Sequence, residues 1–145
     1  MVYVMLASNC GEVMIAQEIR RDVFIKEQGI PEQIELDGLD EKCRHIIVFY
    51  NYAPAGCCRL RMVDGSIKVE RFAVLREHRS LGLGTALMEY VLSYAKQEGY
   101  DDVWLNAQLP VKGYYEKLGF TAVDGIFEEA GIEHVRMVYA GETNV

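Results

Sequence analysis

The sequence predicts an α/β sandwich: a mixed, mostly antiparallel sheet with helices on both faces, in the order β-α-βββ-α-β-α-ββ. Three observations lead there. Strand-like runs rich in β-branched and aromatic residues come in groups separated by single helical segments. Asp64-Gly65 stands between two such runs, a strong hairpin signal. Leu83, Ala86, Leu87, Tyr90, Val91, Tyr94 and Ala95 repeat at i, i+3, i+4, i+7, i+8, i+11 and i+12, the pattern of one buried helix face.

In chain order, Val2 to Leu6 is a short apolar strand. Asn9-x-x-Glu12 has the form of a capping box, and the helix it opens carries Ile15, Ala16, Ile19 and Val23 as its stripe. Glu18, Arg20, Arg21 and Asp22 lie elsewhere around it, and Gly29 and Pro31 end it. The stretch Glu32 to Lys42 holds five acidic residues and little apolar periodicity, so it reads as a loop, either a solvated connector or a substrate-facing element. Strands follow at His45 to Tyr50, Cys57 to Val63 and Ile67 to Val74, with a turn at Ala53 to Gly56 and the Asp64-Gly65 hairpin between them. After the glycine-rich helix, which Gly99 stops, come a strand from Asp102 to Ala107 and a short helix from Pro110 to Leu118, capped by Gly119. Phe120 to Val123 and Ile132 to Tyr139 complete the sheet, joined by a loop carrying Glu128, Glu129 and Gly131.

Arg79-Ser-Leu-Gly-Leu-Gly84 links the strand Val69 to Val74 to the helix. A helix N-terminus leaves backbone N–H groups unpaired and carries partial positive charge, and glycines let an anion approach closely. The segment is therefore a candidate diphosphate cradle. It is not a Walker loop, since Thr85-Ala86 follows Gly84 with no lysine. Nor is it a dinucleotide fingerprint: Leu87 stands where the third glycine belongs, and the next strand ends in amide residues, not a carboxylate.

With 145 residues, 50% of them hydrophobic, the chain suits one domain over residues 1-145. A formal charge of −7 argues against a nucleic-acid partner, which clustered Lys and Arg would have to hold. No apolar run approaches the roughly 18 residues that span a bilayer, and the N-terminus lacks a basic region before an apolar stretch. The expectation is a cytoplasmic protein with no membrane partner. Cys10, Cys43, Cys57 and Cys58 lack C-x-x-C spacing and read as reduced packing residues, with Cys57 and Cys58 pointing to opposite sides of a strand. No His/Cys pair has ligand spacing, so no metal is expected.

Tyr114-Tyr-Glu-Lys-Leu-Gly-Phe120 lies about thirty residues after the glycine loop, on the next helix but one in order. The two motifs together, on these elements and in this order, resemble the GNAT acetyltransferases. The likeness covers essentially the whole chain. Arg21-x-Val-Phe-x-x-Glu-Gln28, Asp37-Gly-Leu-Asp40, Leu105-x-Ala-Gln108 and Glu129-Ala-Gly-Ile-x-His134 look like its ElaA-like subgroup.

The resemblance implies an N-acetyltransferase that uses acetyl-CoA as acyl donor and an amine acceptor, either a small molecule or a protein lysine, with no metal. It implies that backbone groups of Phe72, Ala73 and Val74 meet the pantetheine and acetyl carbonyl. It places Arg79 and the amides of Leu81, Gly82, Leu83, Gly84 and Thr85 at the pyrophosphate. Gln108 takes the position of a family asparagine that contacts pantetheine, and Tyr115 that of the tyrosine that protonates the departing thiolate. Glu70, a carboxylate within the central strand, is the candidate base. Burial would raise its pKa toward a useful value, while a salt bridge to Arg59 or Arg61 is the competing reading. His134 is a second candidate base; His45 and His78 offer nothing specific. A non-catalytic acyl-CoA-binding or regulatory module is the alternative function, and a homodimer is left open.

Overall fold

The computed structural model describes residues 1–140. Seven strands form one sheet: β1 (Val2–Leu6), β2 (Arg44–Tyr50), β3 (Ala53–Val63), β4 (Ser66–Val74), β5 (Val103–Gln108), β6 (Phe120–Glu129) and β7 (Ile132–Tyr139). Their spatial order is β1-β2-β3-β4-β5-β7-β6, antiparallel except for the β4–β5 pair. Four α-helices accompany them: α1 (Cys10–Arg20), α2 (Glu32–Glu35), α3 (Leu83–Gln97) and α4 (Lys112–Lys117). The expected mixed, mostly antiparallel α/β fold is present.

The strand alternation sorts the core into two layers. Cys58 and Leu60 join Leu83, Leu87, Met88, Val91 and Ala95 of α3 on one face, together with Tyr115 of α4. Cys57 and Ala73 join Ala16 and Ile19 of α1 on the other, with Val23 and Phe24 from the turn beyond it. Adjacent Cys57 and Cys58 thus face opposite layers, as period-two side chains must. Cys10, by contrast, is exposed and packs nothing.

The Asn9 side chain caps α1 by accepting from the Glu12 N–H at 2.9 Å, while Glu12 reaches back to the N–H of Ser8 at 2.7 Å. Beyond Arg20 the helix widens into a π-helical turn, Arg21–Glu27, that no pattern in the sequence announced. Asp64 and Gly65 both have positive φ, the mark of the hairpin turn expected there.

Three boundaries moved. The β2–β3 turn is at Asn51-Tyr52, both with positive φ, and Ala53 to Gly56 belong to β3; a bulge there lets Pro54 sit in a strand. The loop expected after Val123 is mostly strand, because β6 resumes after a bulge and turns at Ala130-Gly131. The 32–42 loop contains α2 and a 3₁₀ turn, Asp40–Lys42.

Two irregularities in β4 create the site. Its parallel pairing with β5 stops at Val69–Leu105, so residues 70–74 diverge from β5. On its other edge Cys57 faces Ala73 while Arg59 faces Glu70, so β4 carries one extra residue. Arg71 lies in that bulge with φ +53°. A bulge bends its strand and re-aims a side chain.

Candidate active site

The divergence of β4 from β5 opens a cleft of about 780 Å³ that runs from the α3 N-terminus past Tyr115 to the β6–β7 turn. Of the residues expected at a coenzyme, Phe72, Ala73, Val74, Arg79, Gly82, Leu83, Gly84, Thr85, Gln108 and Tyr115 all line it, and so does Glu70. Leu81 does not; it is exposed.

At one end Gly82 caps α3 with φ +78°, a conformation that costs a side-chain-bearing residue about 1 kcal/mol or more, and nothing lies within 4 Å of where its Cβ would be. That open space above unpaired amides suits an anion. Gly84 has a different reason to lack a side chain: a Cβ there would collide with the Tyr114 hydroxyl. Arg79 donates Nε to the Val74 carbonyl at 2.9 Å and both terminal nitrogens to Glu27 at 2.7 and 2.8 Å. These hydrogen bonds hold the Glu27 carboxyl below the usual carboxylate range. No local sequence pattern pairs Glu27 with Arg79, 52 residues apart.

In the middle, Tyr115 is 8% exposed and stands in an aromatic group. Its ring meets Phe72, Tyr114 and Phe120 edge-on, with centroids 5.7, 5.4 and 6.2 Å away. Burial, aided by Tyr114 and Cys58, pushes its phenol well above the ordinary value, so the proton stays on at neutral pH. Gln108 donates Nε2 to Gln28 Oε1 at 2.9 Å, joining the end of β5 to the end of the π-helical turn.

The far wall is built from charge. Arg59, fully buried, donates to both oxygens of Asp37 at 2.8 Å, to Asp40 at 3.0 Å and to Glu70 at 2.9 Å. Arg20, 1% exposed, binds Glu35 at 2.9 Å and Asp40 at 2.8 Å. Arg71, turned outward by the bulge, binds Glu35 at 2.6 Å and Asp37 at 3.3 Å. Arg20 therefore sits inside the molecule rather than around the solvent side of α1. The acidic stretch 32–42 is not a solvated connector either, since three arginines from α1, β3 and β4 hold it down.

Glu70 belongs to this network, and the expected rise in its pKa is reversed. Burial does push it up, but hydrogen bonds and charge from Lys68 and Arg59 outweigh burial and hold it below the ordinary range. Lys68 is 2.9 Å away and Arg61 3.2 Å. A carboxylate so bound is a poor proton acceptor. Among the described residues, no group of three or more His, Cys, Asp or Glu is placed to hold a metal ion, and no helix is long and apolar enough to cross a membrane.

A family profile described as acetyltransferase (GNAT) domain matches residues 11–140. The chain belongs to the GNAT family. It is 37% identical over 134 residues to the uncharacterized N-acetyltransferase YjcF of Bacillus subtilis (strain 168), covering 92% of this chain and 96% of that one. Protein ElaA of Escherichia coli (strain K12) is 30% identical over 83% of this chain and 82% of its own. Its crystal structure superposes with a TM-score of 0.83, covering 95% and 99% of the two chains at 26% identity. An acyl-CoA N-acyltransferase from Pseudomonas aeruginosa reaches a TM-score of 0.85, at 29% identity over 97% of this chain and 100% of that one. The ElaA-like likeness is thus present in both sequence and fold, and this GNAT chain is an N-acetyltransferase.

Proposed function

We propose that this chain transfers an acetyl group from acetyl-CoA to a primary amine, small molecule or protein lysine, by direct attack in a ternary complex with no covalent enzyme intermediate. One observation carries the reading. An open glycine turn at a helix N-terminus, a strand edge released from its partner and a buried, protonated tyrosine all line the same cleft. Acetyl-CoA fits that arrangement and supplies the activated acyl group.

The amides of Gly82 to Thr85 would hold the pyrophosphate against the positive end of α3, with Arg79 beside it. Arg79 would exchange Glu27 for phosphate, since both are anions that accept bidentate guanidinium bonds. The edge of β4 from Phe72 to Val74, facing away from β3 where β5 has diverged, would offer amides to the pantetheine and to the carbonyl oxygen that gains charge during attack. Gln108 replaces an asparagine with the same donor and acceptor on a longer arm, and its bond to Gln28 would give way to the pantetheine. Tyr115 would give its proton to the departing sulfur.

Calorimetry and thermal unfolding with acetyl-CoA test the centre of this reading, followed by CoA release over a panel of amines. A ligand at 100-fold excess over its Kd adds about 2.7 kcal/mol of stability, so the Tm should rise. An unchanged Tm with no heat of binding overturns the proposal. Binding without CoA release from any amine would favour an acyl-CoA-binding module.

A further inference from the structure

Resting on the acetyltransferase reading, we infer that His134, oriented by the Ile132 carbonyl, takes the proton from the incoming ammonium group through its Nε2. An amine is protonated at neutral pH and cannot attack until it loses a proton. The cleft has few groups that can accept one. Glu27 is held bidentate by Arg79, Glu35 by Arg20 and Arg71, and Asp37 by Arg59 and Arg71. Glu70 is held by Arg59, Arg61 and Lys68. His78 belongs to the turn before Arg79, at the α3 end of the cleft. Two cleft-lining groups remain, His134 and Glu129.

His134 is built for the task. It stands on β7 opposite Gln108, at the end of β5 that diverges from β4. Its side chain is 8% exposed and its ring stacks on Phe127 with centroids 5.9 Å apart. Nδ1 lies 2.7 Å from the Ile132 carbonyl, which can only accept, so Nδ1 carries the hydrogen and Nε2 presents its lone pair. The half-exposed Glu129 carboxylate stands 3.8 Å from Nε2, beyond hydrogen-bonding distance, and leaves the lone pair open. Both belong to Glu129-Ala-Gly-Ile-Glu-His134, where the Ala130-Gly131 turn, both residues at positive φ, brings the two side chains back together.

The step balances. The ammonium gives one proton to Nε2, the neutral nitrogen forms a bond to the acyl carbon, and the carbon–sulfur bond breaks with its electron pair on sulfur. Tyr115 protonates that sulfur and recovers the second proton from the new amide nitrogen. His134 then releases the first proton to solvent.

Two measurements on the intact chain decide the matter. NMR of the imidazole nitrogens in wild type should find the neutral ring protonated on Nδ1, leaving the Nε2 lone pair free to accept a proton. A neutral ring carrying its proton on Nε2 overturns the assignment whether or not an acceptor has been found. With the primary amine that wild type acetylates fastest in the panel, His134→Gln should lower kcat/KM by roughly 10²–10⁴-fold at pH 7 and leave acetyl-CoA affinity unchanged. The loss should shrink as pH rises and more of the amine is already neutral. A loss that stays constant with pH, or a variant with normal kcat/KM, refutes the role. Failure of wild type to bind acetyl-CoA would instead count against the acetyltransferase reading.

Discussion

Arg59→Met tests what keeps the charged wall of the cleft in place. The guanidinium is fully buried and serves Asp37, Asp40 and Glu70 together, and Met keeps most of its aliphatic stem. Removing one side of a buried ion pair costs about 3–5 kcal/mol, because the partner charge is stranded. Here no carboxylate loses its last cation: Asp40 keeps Arg20 at 2.8 Å, Asp37 keeps Arg71 at 3.3 Å, and Glu70 keeps Lys68 at 2.9 Å. The expected loss is therefore at the low end, about 3 kcal/mol, or roughly 6–12 °C in Tm for a chain of this size. Urea unfolding at pH 7 measures it. A loss below about 1 kcal/mol would show that the remaining cations suffice and that Arg59 is not the keystone. The acid side offers a second reading of the same cluster. Burial pushes Asp40 up, but hydrogen bonds from Arg20, Gln17 and Arg59 outweigh it and hold the carboxyl at about 2, against an ordinary 3.8. A depressed folded-state value stabilises above the unfolded one and is lost as pH falls through the folded one. Wild type should thus lose stability between about pH 4 and pH 2, and Arg59→Met should lose less of it across that window.

Tyr115→Phe should lower kcat by roughly 10²–10⁴-fold with little change in acetyl-CoA affinity, since Phe keeps the ring packing; near-normal kcat rules out the proton-donor role. Glu70→Gln should reduce stability and give a loss of activity that does not vary with pH, as expected of a charge held by Lys68, Arg59 and Arg61; a loss that shrinks at high pH would restore Glu70 as the base. Gly84→Val should collapse coenzyme affinity, measured by calorimetry, and destabilise the fold by displacing Tyr114. Adding Tyr114→Ala should recover stability but not affinity, whereas recovery of both would mean that Gly84 serves packing alone.

Most of the fold was legible because its signals are local. The α3 stripe, the Asp64-Gly65 hairpin and the Asn9 cap each depend on residues within a turn or two of one another. The parts that moved depend on pairing between distant segments. Nothing near Ala53 to Gly56 indicates that a bulge will carry Pro54 into β3, and nothing near Val123 indicates that β6 will resume beyond Gly125. The charge network was hidden for the same reason. Five acidic residues in 32–42 look solvated until Arg20, Arg59 and Arg71 are brought to three of them, Glu35, Asp37 and Asp40, by three separate elements. Arg59 did leave a trace. It lies two residues from Cys57, on the face that packs against α1, and a charge on a covered face needs partners of opposite sign.

The bulge in β4 links these charges to the cleft. An extra residue bends the strand away from β5, and that divergence is what frees the edge from Phe72 to Val74. It also forces Arg71 to φ +53°, a conformation that costs a non-glycine residue about 1–2 kcal/mol. Arg71 offsets that cost by binding Glu35 and Asp37, two residues of the segment that walls the cleft. Opening the strand and closing the wall are thus coupled through one side chain. Arg71→Ala would keep the backbone strain and lose the compensating contacts. The pull toward a regular β4 would then act directly on the cleft between β4 and β5.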